Sequence, residues 1–335
     1  MYSYFLNFLK CVDPELAHRI AAVALKSGLG MFVPQRFHIH LGTTSMGLYF
    51  DTPLGIAAGF DKFADLVIPL YSLGFGHVEV GTVTLHPQPG NKKPRIHRVM
   101  PQKALINSMG FNNPGAQKMR ENILKVRKSG RRLPIIGVNI GKSKVCPLEE
   151  SAKDYVKSFE LLADVSDYLV INVSSPNTEG LRTLQSVGNL NKILRSVKPI
   201  ADRFKRPVLI KISPDLSNSD VTNIALLVKE FGLAGVVASN TTTKRTGLPN
   251  EFSSLHGGLS GPMLKERSLE MLKILRRDLP KNKFCIISVG GVWDYTDVLE
   301  RLEYGADLVQ GYTAFVYNGP YWASNINRDL TRLRS

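Results

Sequence analysis

Eight short apolar runs, most of them rich in β-branched residues, punctuate the chain. They are LGIAAG (54–59), HVEVGTV (77–83), IIGVNI (135–140), YLVINVS (168–174), VLIKIS (208–213), GVVASN (235–240), CIISVGG (285–291) and LVQGYTA (308–314). The runs are too continuously apolar for hairpins with one face in water, so they read as parallel strands buried on both faces. Between them lie helix-length segments such as SAKDYVKSFELLADV and NSDVTNIALLVKEFGL, with apolar residues three and four apart. Eight β-then-α units predict an α/β chain folded as a (β/α)8 TIM barrel. A doubly wound sheet is the rival, weakened because no GxGxxG follows an early strand.

Two gaps exceed one helix. Residues 84–134 hold HPQPGNKKPRIHRV and ALINSMGFNNPG, expected as an excursion over the barrel mouth, and residues 241–284 hold the loop TTTKRTGLPNEFSSLHGGLSG. The barrel is expected over 41–335, with residues 1–40 forming a small two-helix extension before it. Tyr2 to Lys10 is an aromatic-rich helix candidate. Asp13-Pro14-Glu15 is a strong helix start, with an N-cap acid, proline at the first helical position and a first-turn acid. That second helix should run to about Ser27 and stop at Gly28. Its stripe of Leu16, Ile20, Val23 and Ala24 reads either as extra core packed on the barrel or as an amphipathic unit in a membrane interface.

The formal net charge is +15, and residues 117–132 alone place seven Lys/Arg against one Glu. A solvated helix face explains that stretch. No nucleic-acid recognition motif accompanies it, so an anionic membrane surface or acidic small molecules suit the charge better than nucleic acid. No apolar run reaches the roughly 18 residues needed to span a bilayer, and MYSYFLNFLK does not read as a signal peptide. Cys11, Cys146 and Cys285 are far apart, with no CxxC, which points to a reducing compartment.

In such a barrel the active site lies at the carboxyl ends of the strands. Those ends carry Lys62, Asn139, Asn172, Lys211 and Asn240, and a lysine or asparagine among apolar strand residues is costly unless something pairs with it. Five in eight point to one shared polar ligand, a flat hydrogen-bonding heterocycle. No carboxylate cluster and no histidine spacing supports a metal. Gly290-Gly291, Gly311-Tyr312-Thr313 and Gly258 to Gly261 lie where phosphate-binding loops sit in these barrels, favouring a phosphorylated cofactor.

IAAGFDK, GTVTLHPQPGNKKPR, INSMGFNN, VNIGKSK, INVSSPNTEGLRTLQ, IKISPDL, SNTT, GGLSG and SVGG, in this order, closely resemble dihydroorotate dehydrogenase over roughly residues 10–320. DPELAHR and the leading helices look like the class 2, quinone-dependent branch. The resemblance implies an FMN barrel that oxidises dihydroorotate to orotate in pyrimidine synthesis and passes electrons to a membrane quinone. It implies FMN contacts at Ala58, Gly59, Lys62, Thr82, Asn139, Asn172, Lys211, Ser239, Gly261, Gly290, Gly291, Tyr312 and Thr313. Orotate contacts fall on Lys62, Asn107, Ser108, Met109, Gly110, Phe111, Asn172, Asn177, Asn240 and Thr241.

In this resemblance Ser175 takes the place of the catalytic base, helped either by a water chain or by Thr178, in a loop bracketed by Pro176 and Gly180. Class 1 members place cysteine there, and none of the three cysteines falls near it. Arg98 and Tyr312 would be the polar ends of a quinone tunnel under the leading helices. A peripheral protein on the cytoplasmic face of a bacterial inner membrane fits best, although a truncated mitochondrial form would look the same. The alternative activity is another FMN barrel acting on a different heterocycle. A basic, non-catalytic binding protein on a barrel scaffold is the reading from another class.

Overall fold

In a computed structural model, which describes residues 12–28, 33, 37 and 39–334, the eight runs form one closed barrel of parallel strands. The strands are β1 (Leu54–Ile56), β2 (His77–Val83), β3 (Ile135–Ile140), β4 (Tyr168–Asn172), β5 (Val208–Ile212), β6 (Gly235–Ala238), β7 (Cys285–Val289) and β8 (Leu308–Gly311). Their order around the barrel follows the chain, and β8 closes on β1. Every residue of β2, β4 and β5 is buried, as strands covered on both faces require. Helices alternate with the strands, and two of them open on full capping boxes: Ser217 with Asp220, and Asp294 with Asp297.

Two features fall outside the eight-run pattern. A hairpin of Thr43–Ser45 and Leu48–Phe50 plugs the amino end of the barrel, where Phe50 packs with Tyr168, Leu209 and Cys285 and meets the His77 ring edge-on at 5.6 Å. The two long gaps also meet each other. Ile96–Val99 and Ala104–Asn107 from the first pair with Gly258–Ser260 from the second in a three-stranded antiparallel sheet. The excursion is therefore an ordered platform, and its last strand residue is Asn107.

Helix α1 (Pro14–Lys26) begins as its sequence requires, with the Asp13 carboxylate accepting from the Glu15 and Leu16 amides at 3.0 and 2.9 Å. The apolar stripe is a different matter. Leu16 and Val23 are 49% and 67% exposed, and Val23 and Ala24 line a cavity between the helix and the barrel, so the stripe is not closed into the core. The helix instead packs through small Ala17, through Leu25 and through His18, whose ring meets Phe60 at 4.8 Å. The helix candidate Tyr2–Lys10 lies outside the described residues, as does Cys11. No described helix is long and apolar enough to cross a membrane. Much of the basic 117–132 stretch is engaged in surface ion pairs: Arg120 with Asp164, Arg127 with Asp167 and Arg132 with Asp51.

Candidate active site

A cavity of about 160 Å3 opens where the strands end. Thr82, Asn172 and Lys211 reach it from the strands, and Ala58, Gly59, Lys62 and Ser239 from the turns that follow β1 and β6. The later loops supply Gly261, Gly290, Gly291, Tyr312 and Thr313. Asn107, Met109, Gly110 and Phe111 come from the excursion, Ser175 and Asn177 from the loop after β4, and Asn240 and Thr241 from the loop after β6. Two members of the expected set stand back from the wall. Asn139 is fully buried behind Thr82 and Asn172, and Ser108 is held by its backbone, donating to Arg95 O at 2.8 Å and accepting from Asn91 Nδ2 at 3.0 Å.

Beneath the cavity lies a residue outside the expected set, Glu79 of β2, 0% exposed. Its Oε1 accepts from Asn139 Nδ2 at 2.7 Å and faces Lys211 Nζ at 3.4 Å, while Oε2 accepts from Gln310 Nε2 at 2.8 Å. A carboxylate only accepts, so the Asn139 amide must turn its nitrogen down and its oxygen up. That oxygen accepts hydrogen bonds from Thr82 Oγ1 at 2.6 Å and Asn172 Nδ2 at 3.0 Å. Asn172 then presents its own oxygen to Ser174, whose Oγ in turn accepts from Asn240 Nδ2 at 2.9 Å. One buried charge thus sets the direction of a polar chain that runs from barrel centre to mouth.

Ser175 is nearly fully buried, and its Oγ accepts from the Asn177 amide at 3.2 Å. Thr178 does not line the cavity. The loop is tied down by Arg182, which donates to Asp215 at 2.8 Å, to Thr241 O at 3.0 Å and to Ser174 O at 3.3 Å. Burial raises the Asp215 pKa, but donation from Thr242, Thr243 and Arg182 outweighs it and leaves the carboxyl below its ordinary value. The loops carrying Ser175 and Asn240 are therefore stapled to one another. On the other side, Asn91 Nδ2 reaches Asn177 O at 3.1 Å, and Asn177 Nδ2 reaches Asn107 Oδ1 at 3.1 Å.

The electrostatics of the wall are one-sided: among the described residues it contains Lys62 and Lys211 and no Asp or Glu. Lys62 follows Asp61, whose buried carboxylate gathers the amides of Phe63, Asp65 and Leu66 and so shapes the turn. Burial, with the like charge of Arg95, pulls the Lys62 ammonium down to about 8. Two carbonyl oxygens of the lining residues, Asn112 Oδ1 and Asn177 Oδ1, are buried without a hydrogen-bond partner among the described residues. Orphaned acceptors are costly unless a ligand supplies donors. An anionic heterocycle bearing N–H groups meets both requirements.

A second cavity, about 860 Å3, separates helix α1 from the barrel. Lys62, Ile96, Leu105, Met109, Asn112 and Tyr312 line both cavities and form their common wall. Arg98 lines only the second, where its Nη1 donates to Val12 O at 2.6 Å. Burial, then the charge of Lys62, holds His18 down to about 4, so that wall is neutral there at ordinary pH. Helix α1 is anchored through Glu15, which accepts from Arg95 at 2.9 and 3.1 Å and pairs with Lys93 at 3.2 Å. Burial opposes the charge on Glu15, but Arg95 and Lys93 prevail and hold the carboxyl down to about 2.

A family model described as dihydroorotate dehydrogenase matches residues 40–333. Among curated proteins, the chain is 50% identical to a "Dihydroorotate dehydrogenase (quinone)" of Leifsonia xyli subsp. xyli over 99% of each chain, and 49% identical to one of Clavibacter sepedonicus over 98% of each. Among solved structures, a DHODH from Eimeria tenella in complex with ferulenol superposes with a TM-score of 0.89 at 35% identity, covering 96% of this chain and 91% of that one. A ligand-free form from the same organism gives 0.89 at 34% identity, covering 96% and 95%.

Proposed function

The chain belongs to the dihydroorotate dehydrogenase family, and we propose that it oxidises dihydroorotate to orotate in pyrimidine synthesis, with Ser175 as base, FMN as the bound cofactor and a membrane quinone as final acceptor. The observation that carries the reading is the cavity wall: two lysines, no carboxylate, and buried amide oxygens left without donors. Such a set fits a carboxylate-bearing ring with N–H groups beside a phosphorylated flavin. A flavin held there would supply a hydride acceptor for the substrate and a carrier for the electrons.

The protein's own part is orientation, charge and proton transfer. Asn107, Asn172, Asn177 and Asn240 would hold the substrate ring by paired amide donors and acceptors, which gives specificity through hydrogen bonds. Lys62 would supply positive charge for the substrate carboxylate, and Lys211, backed by Glu79, positive charge where electrons arrive. Ala58, Gly59, Thr82, Ser239, Gly261, Gly290, Gly291, Tyr312 and Thr313 would cradle the cofactor, with Asn139 acting behind them. Ser175 Oγ would take the proton from C5 of dihydroorotate. Serine is a weak base, among the described residues only the Asn177 amide donates to it, and Thr178 does not line the cavity, so a water would serve as its proton relay rather than Thr178. The staple of Arg182 and Asp215 would hold this loop in place beside the substrate.

The second cavity would admit the quinone, with Arg98 and Tyr312 as polar groups on its wall. The exposed Leu16 and Val23 suit helix α1 to peripheral contact with a membrane, which we place on the cytoplasmic face. Residues 1–40 then serve the quinone and 41–335 the barrel chemistry.

The test is Ser175→Ala, followed by stopped-flow flavin reduction with dihydroorotate. Loss of a positioned base typically costs 10²–10⁴-fold, so reduction should slow by at least about 100-fold with flavin fully retained. Reduction within about threefold of the parent would remove Ser175 from the role.

A further inference from the structure

Arg301 lies on the helix Tyr295–Glu303, 0% exposed, behind the loop that follows β7. A buried guanidinium ordinarily has a carboxylate partner. This one does not among the described residues: Nη2 donates to Gly290 O at 2.5 Å and to Ser268 Oγ at 3.0 Å, and Nη1 to Asp297 O at 3.1 Å. The neighbouring carboxylates, Asp297 and Glu300, are taken by Lys265 at 2.6 and 3.0 Å. The cluster is neutral as a whole, but its positive end faces the glycine loop.

The consequence follows from peptide geometry. The Gly290–Gly291 bond is not among the cis peptides, and a trans peptide points its C=O and N–H in opposite directions. Fixing Gly290 O towards Arg301 therefore turns the Gly291 N–H away from it, towards the cavity that both glycines line. That N–H meets no backbone acceptor among the described residues. Both residues hold positive φ, +112° and +69°, and a Cβ on Gly291 would lie 2.5 Å from Lys265 N. The loop is thus a rigid, donor-presenting concavity with a fixed cation behind it, which is what an anion with several oxygens requires.

We propose that Arg301 is a positioning residue for a phosphate-class anion at this loop, acting through the Gly290–Gly291 peptide, and that it makes the site prefer a phosphorylated flavin over its dephosphorylated form. The proposal rests on the FMN reading above. Purified full-length holoprotein, incubated with equal FMN and riboflavin and then denatured, reports the bound flavins by chromatographic separation. The parent protein should hold FMN almost exclusively. Arg301→Met should lower the bound FMN-to-riboflavin ratio by at least about tenfold, with riboflavin affinity little changed, because charge-assisted donors act on the phosphate alone. An unchanged ratio in Arg301→Met would overturn the proposal. Should that variant not fold, Arg301→Gln, which keeps an amide donor but removes the charge behind Gly290 O, decides the matter. A lowered ratio supports the proposal and an unchanged one refutes it. A parent protein indifferent between the two flavins would sink the FMN reading itself, a separate outcome.

Discussion

Glu79 places a carboxylate inside a fully buried strand, and because it can only accept, it orients the Asn139 amide and, through it, the Asn172 amide. Lysine and asparagine stood out in the strands because burying them is costly without a partner, and Lys211 and Asn172 were legible on that ground. Glu79 in HVEVGTV and Gln310 in LVQGYTA carry the same signal. Both sit below the strand ends, where the sequence alone does not point to a barrel's active site. Arg301 was not legible at all, since DVLERLE reads as an amphipathic surface helix and only packing reveals that this arginine faces inward. At this scale Lys62 yields a pH prediction. Its ammonium is held down to about 8 by burial first and Arg95 second, so the charge is present below pH 8 and lost above it. Orotate affinity, read by titrating the bound flavin's absorbance, should weaken about tenfold between pH 7 and 9. A flat profile across that range would show that Lys62 does not hold the anion.

Helix α1 shows what element-level patterns convey. Its start was readable from Asp13-Pro14-Glu15, because capping is local chemistry. Its orientation was not, since the docking face is decided by a long-range ion pair and by small residues rather than by the apolar stripe. Glu15 has a folded-state pKa of about 2 against an ordinary 4.5, so its contribution is complete above about pH 4.5 and vanishes as pH falls towards 2. Glu15→Gln leaves Arg95, only 6% exposed, without its counter-ion. Breaking such a partly buried pair costs on the order of 1–2 kcal/mol. Reoxidation by quinone should therefore slow about tenfold, while flavin reduction by dihydroorotate stays within about twofold of the parent. Stopped-flow measurement of the two half-reactions checks this, and equal losses in both would contradict the division of labour between helix and barrel. The antiparallel platform was harder to foresee. Its strands of three or four residues pair across about 150 positions of sequence, which periodicity does not register.

Across the whole molecule, the barrel followed from eight doubly buried runs, because so continuous an apolar series leaves few other arrangements. The plug of residues 43–50 escaped because its two strands are short and half-exposed. The two cavities share a wall that includes Lys62 and Tyr312, and the proposed function puts substrate chemistry on one side of it and electron exit on the other. The most direct measurement is an anaerobic absorbance spectrum of the purified protein, taken alone, then with dihydroorotate, then with a soluble quinone. The expected result is a yellow protein that dihydroorotate bleaches and quinone restores, while fumarate and NAD do not. A yellow protein left unbleached by dihydroorotate would contradict it, keeping a flavin barrel but assigning it another heterocycle.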